Sequence, residues 1–171
     1  MKSLVIYYSH TGENYTSSGL KNLTKGNTEV VAEKIAKEVN ADLFRVETVK
    51  QYPYGYYDCC DEAKMELQSN ARPTLKKDLT DISGYDVIFV GGPVWWSHLP
   101  MGMFSALENL DFSNKIVMPF TTHEGSGLGD VLSDVKTLCK NATIKNGLSI
   151  YGSKVSNSDS LIKNWIASEL K

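Results

Sequence analysis

Nothing in the 171 residues approaches the run of about twenty apolar side chains that a membrane span requires. Positive charge is not in excess either: the formal net charge is −2, which argues against a nucleic-acid partner held on a basic face. Cysteine is scarce. There are three, two of them adjacent (Cys59 and Cys60), and that is neither a disulfide framework nor a zinc pattern. Reduced thiols in a cytoplasmic protein are the expectation. Met1-Lys2-Ser3 leads straight into an apolar run, so no signal peptide is expected. There is no H-x-x-x-H, HExxH or carboxylate cluster for a catalytic metal, and no G-x-S-x-G elbow for a serine nucleophile.

What is present is an alternation of apolar runs and amphipathic stretches. Strands are predicted at 3–8, 42–49, 85–92, 115–122 and 142–152. The run "YDVIFVGG" is apolar almost without break, as a central parallel strand covered on both faces should be. Helices are predicted at 27–40, from the tyrosine-rich "KQYPYGYYDCC" to Arg72-Pro73, at 100–110, at 128–139 and at 158–171. Leu161, Ile162, Trp165, Ile166 and Leu170 mark the inner face of the last one. A chain of this length makes one domain, 1–171, and it can bury about two-thirds of its unfolded surface without staples. The alternation predicts a three-layer, doubly wound α/β domain with a five-stranded parallel sheet.

In that architecture ligands bind outside the carboxyl ends of the strands. Three loops fall there. In the first, Ser9, His10, Thr11 and Gly12 close a strand, and Asn27-Thr28 opens a helix after an excursion, 13–26. Hydroxyls and free amides at a helix start suit a phosphate, yet the same residues serve equally as caps and turns. No "GK[ST]" lysine and no G-x-G-x-x-G spacing accompany them, so neither a triphosphate nor a dinucleotide loop is indicated. The second loop, "GGPVWWSHLPM", places two tryptophans at the ligand edge, where a planar ligand or a neighbouring helix must cover them. The third, "TTHEGSGLG", has glycines at 125, 127 and 129 that let backbone approach a ligand.

Taken in order, "YYSHTG…NT", "YDVIFVGGPVWWSHLP" and "KIVMPFTTHEGSGLG" resemble the three flavin loops of a flavodoxin. The likeness runs over nearly the whole chain and includes "YPYGYY" and "ARP". It implies strand order 2-1-3-4-5 with FMN at the switch point, flavodoxin being the standard example of that rule. It further implies that Ser9, His10, Thr11, Gly12, Asn27 and Thr28 hold the phosphate. Pro93, Val94, Trp95 and Trp96 would line the isoalloxazine, with one tryptophan stacking on it. Thr122, His123, Glu124, Gly125, Ser126 and Gly127 would border its other edge, and Tyr52, Tyr56 and Tyr57 are rim candidates.

Two departures from the family pattern stand out: the excursion 13–26, and an acidity milder than that of many electron carriers. The expected role is electron transfer through FMN to a redox partner protein or to a small acceptor such as a quinone. The alternative is an NAD(P)H-dependent quinone, azo or flavin reductase, with His98 or His123 steadying charge on the acceptor. A third possibility is a binding module without its cofactor.

Overall fold

The computed structural model describes all residues, Met1–Lys171. The first run forms β1 (Ser3–Tyr7), whose side chains alternate between two cores. Leu4, Ile6 and Tyr8 enter one, while Val5 and Tyr7 enter the other. α1 (Asn27–Val39) turns Val31, Ala32, Ile35 and Ala36 onto the second core. β4 (Asp42–Arg45) pairs parallel with β1, and β5 (Val87–Pro93) pairs with its other side. β6 (Ile116–His123) lies beyond β5. α3 (Met101–Leu107) and α4 (Val131–Leu138) cover the first core; α5 (Asp159–Glu169) joins α1 on the second. The sheet is therefore sandwiched between helices, as an all-parallel sheet requires.

The fifth strand is broken in two. β7 (Thr143–Ile144) pairs with Ile116–Val117, and β8 (Leu148–Tyr151) pairs with Phe120–His123. Between them Lys145, Asn146 and Gly147 stand opposite only Met118 and Pro119, which is a bulge. The reason lies in β6. The carbonyls of Lys115 and Val117 accept amides from Thr143 and Lys145, so alternate residues face this strand. Pro119 is next in that series and has no N–H to offer. With the two halves counted as one, the order is 2-1-3-4-5.

Two predicted elements end early. The strand expected over 42–49 leaves the sheet after Val46, whose amide still donates to Tyr7. From there the chain pairs antiparallel with 74–76, through the Thr48–Leu75 bridge. The helix expected to reach Arg72 is α2 (Tyr56–Gln68). Asn70, at φ 49°, closes it: the Ala71 amide donates to Glu66 and the Asn70 amide to Leu67. On α5, Ile162, Trp165 and Ile166 are buried as expected, whereas Leu161 is exposed.

The excursion 13–26 is a β-hairpin. β2 (Gly12–Thr16) and β3 (Gly19–Leu23) pair antiparallel about Ser17-Ser18, with the Thr16 hydroxyl donating to the Gly19 carbonyl. It forms its own two-stranded sheet beside the main one. No helix is long and apolar enough to cross a membrane.

Candidate functional site

The two halves of the interrupted first loop meet. The Glu29 amide, in the first turn of α1, donates to Ser9 Oγ at 3.0 Å. Gly26, the residue before the helix, sits so close that a Cβ there would lie 2.2 Å from Ser9 Oγ and 2.6 Å from the His10 carbonyl oxygen. Gly26 has no side chain with which to cap α1, so Ser9 supplies the oxygen from across the loop. The hairpin is pinned at its base, where Asn14 donates to the carbonyls of His10 and Gly12. Glu13 then reaches to α2 and accepts the Tyr56 amide at 2.9 Å, and Tyr15 packs on Tyr56 with ring centroids 5.9 Å apart.

The second loop is a tight turn. Trp95 and His98 exchange both backbone hydrogen bonds, and Trp96 (φ 51°) and Ser97 (φ 74°) carry the left-handed conformation between them. Trp95 is held edge-on by Tyr52 (5.0 Å), Tyr8 (5.3 Å) and His10 (5.5 Å). Trp96 lies outside, its indole N–H donating to the Cys60 carbonyl and its ring beneath Lys64. Buried Asp134 on α4 secures the turn, accepting from His98 Nδ1 at 2.8 Å and from the Leu99 amide at 3.0 Å. In the third loop, Thr121 donates to the Gly127 carbonyl and the Gly125 amide donates to His123 Nδ1. That last bond leaves His123 its proton on Nε2.

These loops enclose two adjoining cavities. One, of about 290 Å³, is lined by His10, Asn27, Thr28, Trp95, Thr122 and Glu124 among others. The second, of about 520 Å³, is mostly apolar and opens between α2 and the tryptophan turn; Tyr56, Tyr57, Cys60, Trp95 and Trp96 wall it. His10, Asn14, Tyr56, Val94, Trp95 and Ser126 line both. Two buried atoms in this region have no hydrogen-bond partner, His10 Nε2 and Glu124 Oε1. Burial holds the His10 and His123 imidazoles below their ordinary range and raises the Glu124 carboxyl. Burial first, and Cys60 second, push the Tyr56 phenol up to about 12.

The sequence-predicted residues divide as follows. His10, Asn27, Thr28, Pro93, Val94, Trp95, Thr122, His123, Glu124 and Ser126 line the first of these cavities. Trp96 borders only the second. Gly125 and Gly127 shape the third loop, both at positive φ, without lining either space. Ser9, Thr11 and Gly12 face a separate cavity on the other side of their loop. The Thr28 and Thr122 hydroxyls share a hydrogen bond of 2.7 Å, a buried clasp between α1 and β6. His98 is turned onto Asp134 and lines neither cavity, which removes it as a charge-steadying group for an acceptor. Asn14, Glu13 and Asp134 were not singled out by sequence. An Asx residue two positions past a loop glycine was the available signal for Asn14.

Fold and site together define a doubly wound α/β domain with its ligand edge at the switch between β1 and β5. A flavodoxin family model matches residues 2–169, and the chain belongs to that family. A putative flavoprotein from Bacteroides uniformis is 25% identical over 97% of both chains, with a TM-score of 0.75. One from Bacteroides eggerthii is 24% identical over 99% of this chain and 98% of its own, at 0.74. A flavoprotein from Lactobacillus acidophilus, solved in complex with FMN, shares 23% over 91% of this chain and 97% of its own, at 0.64. The latter two, at that identity, speak to fold. No curated protein matches the chain. FMN is the cofactor that family membership brings.

Proposed function

We propose that this chain is an FMN protein that passes electrons, with FMN held in the paired cavities. The observation that carries the reading is the convergence of all three switch-point loops on one space, in whose lining residues His10 and Glu124 the atoms Nε2 and Oε1 are buried without partners. Such atoms are costly unless a ligand completes them, so the residues present fit a polar, planar cofactor. The start of α1 with Asn27 offers free amides to the phosphate. Trp95, Val94 and Tyr56 supply the flat apolar walls that a ring system needs.

Bound FMN would supply reversible hydride or single-electron chemistry. The chain's own groups do the rest. Trp95 is immobilised by three rings and sets the plane of one wall. His10, neutral at pH 7 because it is buried, offers a hydrogen bond without adding positive charge. The hairpin and α2, joined by Glu13 and Tyr15, form one rim of the site.

A second reading, an NAD(P)H-dependent reductase of small aromatic acceptors, is favoured by the apolar cavity beside the tryptophan turn, which has room for a second flat molecule. The physiological acceptor is then a quinone-like compound; under the first reading it is a redox partner protein, and a cytoplasmic location is part of the proposal under either. A visible spectrum of the purified protein titrated with FMN tests the common claim, and failure to bind at micromolar FMN overturns it. Steady-state NAD(P)H oxidation with a quinone separates the two readings. Turnover supports the reductase, and its absence leaves the carrier.

A further inference from the structure

Glu124 is the first residue past β6, where the third loop leaves the sheet. It lines the cavity that Asn27, Thr28 and His10 also border, and its Oε1 is buried with no hydrogen-bond partner. A short 3-10 helix, Gly152–Asn157, follows β8 and meets that atom. A Cβ on Gly152 would collide with Glu124 Oε1 and with Asn27 Nδ2 alike, so the carboxyl oxygen and the amide border the same glycine. Yet no hydrogen bond joins them.

No cation answers this carboxyl. Lys154, in the same 3-10 helix, is exposed and forms no salt bridge. Arg45 is engaged by Glu29 in the first turn of α1, at 2.9 Å. His10 and His123 are kept neutral at pH 7 by burial, and the Tyr151 ring lies against His123 with centroids 4.3 Å apart. Tyr56, in the same lining, keeps its phenol proton, as its rise to about 12 requires. Burial, with no charged neighbour to offset it, raises the Glu124 carboxyl above its ordinary range.

A carboxylate so placed costs most when its remaining water is displaced by a ligand that is itself an anion. The start of α1 suits a phosphate dianion, and Asn27, its first residue, stands beside the same buried oxygen. Two negative groups in one closed space disfavour each other, and the one that gains a proton more easily gives up its charge. We propose, resting on the reading that FMN fills the paired cavities, that Glu124 enters the FMN complex as the neutral acid, so that loading the cofactor takes up a proton from solvent. The proton goes to the carboxylate, and the O–H so formed donates to an oxygen of the bound cofactor instead of repelling it. Glu124 is then a binding residue through its side chain, and FMN affinity falls as pH rises.

The test is calorimetric titration of the full chain, freed of flavin, with FMN in two buffers of different ionisation heat. The heat difference between buffers counts protons. Wild type is expected to take up about half a proton or more beyond Glu124→Gln at pH 6.5. The phosphate's own titration is common to both proteins and cancels in that difference. Glu124→Gln copies the neutral acid in shape and as a donor, so its advantage in FMN affinity over wild type should grow about fivefold from pH 6.5 to pH 8.5. In wild type alone, affinity should fall about threefold from pH 7 to pH 8.5, where the phosphate is already dianionic. Equal proton counts in the two proteins, or a flat wild-type profile, overturn the proposal. So does loss of the uptake in His10→Asn with Glu124→Gln unaffected, which would assign the proton to the imidazole. An ionised Glu124 that accepts a cofactor hydroxyl predicts weaker FMN binding by Glu124→Gln at every pH, and that result overturns the proposal as well. Visible absorbance reads FMN binding separately. Its absence overturns the FMN reading and this proposal with it, whereas binding without the proton difference overturns this proposal alone.

Discussion

Ser9 Oγ accepts the Glu29 backbone N–H at 3.0 Å, joining a residue just past the first strand to one inside the first helix across a fourteen-residue excursion, 13–26. The hairpin between them leaves and returns without opening the loop. The closure depends on Gly26 having no side chain, since a Cβ would press on the His10 carbonyl, which is backbone and cannot swing aside.

Gly26→Ala should therefore displace the start of α1. The expected stability loss is about 1–3 kcal/mol, the usual range for forced overpacking, read from chemical denaturation. FMN affinity should fall in the same variant by about tenfold or more. Wild-type FMN affinity in Gly26→Ala would show that the helix start does not contact the phosphate.

Asp134 is the buried anchor of the tryptophan turn, with one oxygen on His98 and the other on the Leu99 amide. Asp134→Ala strands a buried N–H and should cost about 2–3 kcal/mol. Trp96→Phe gives up only an exposed indole bond to Cys60 and should stay within about 1 kcal/mol of wild type. Denaturant midpoints of the two variants give the comparison.

Acid should weaken the fold through its histidines. Burial lowers His10 and His123 from the ordinary value of 6.5, so the unfolded chain binds more protons than the folded one as pH drops. Stability is fully present above pH 6.5 and declines as pH falls below it. Glu66 and Glu124 act in the opposite sense: their carboxyls are raised from 4.5 by burial, and their penalty is relieved as pH approaches that value. His10→Gln combined with His123→Asn should flatten the decline between pH 7 and pH 5.5 in urea denaturation; an unchanged slope would refute the assignment.

The thiols should differ in reactivity. Burial pushes both Cys59 and Cys139 up to about 12, leaving little thiolate at pH 8. Cys60 is half-buried and borders the large cavity. Alkylation followed by mass spectrometry should modify Cys60 first, and bound FMN should slow it.

Much of this was legible in the sequence because most elements are buried on a regular period. β1, β5 and α1 announce themselves in that way, and the three loops follow from where those strands end. The hairpin was not legible: its strands are half-exposed or exposed throughout, so no apolar alternation marks a face. The bulge in the fifth strand was hidden because its cause, Pro119, is on another strand. The division of labour among site residues was equally hidden. That the Thr28 hydroxyl pairs with Thr122, ninety-four positions away, is visible only in the fold. His98 and His123 look alike in their loops, and only the fold puts Asp134 beside one of them.

The break opposite Pro119 has a further consequence for the molecule in a crowded solution. A sheet ends in strands whose outward amides and carbonyls can recruit a strand from another chain. Here one border is the four-residue β4, and the other is split into pieces of two and four residues with a kink between them. Neither offers a straight template long enough for a second copy to zip onto. The proline that interrupts the ladder thereby helps keep a strongly apolar parallel sheet from aggregating edge to edge.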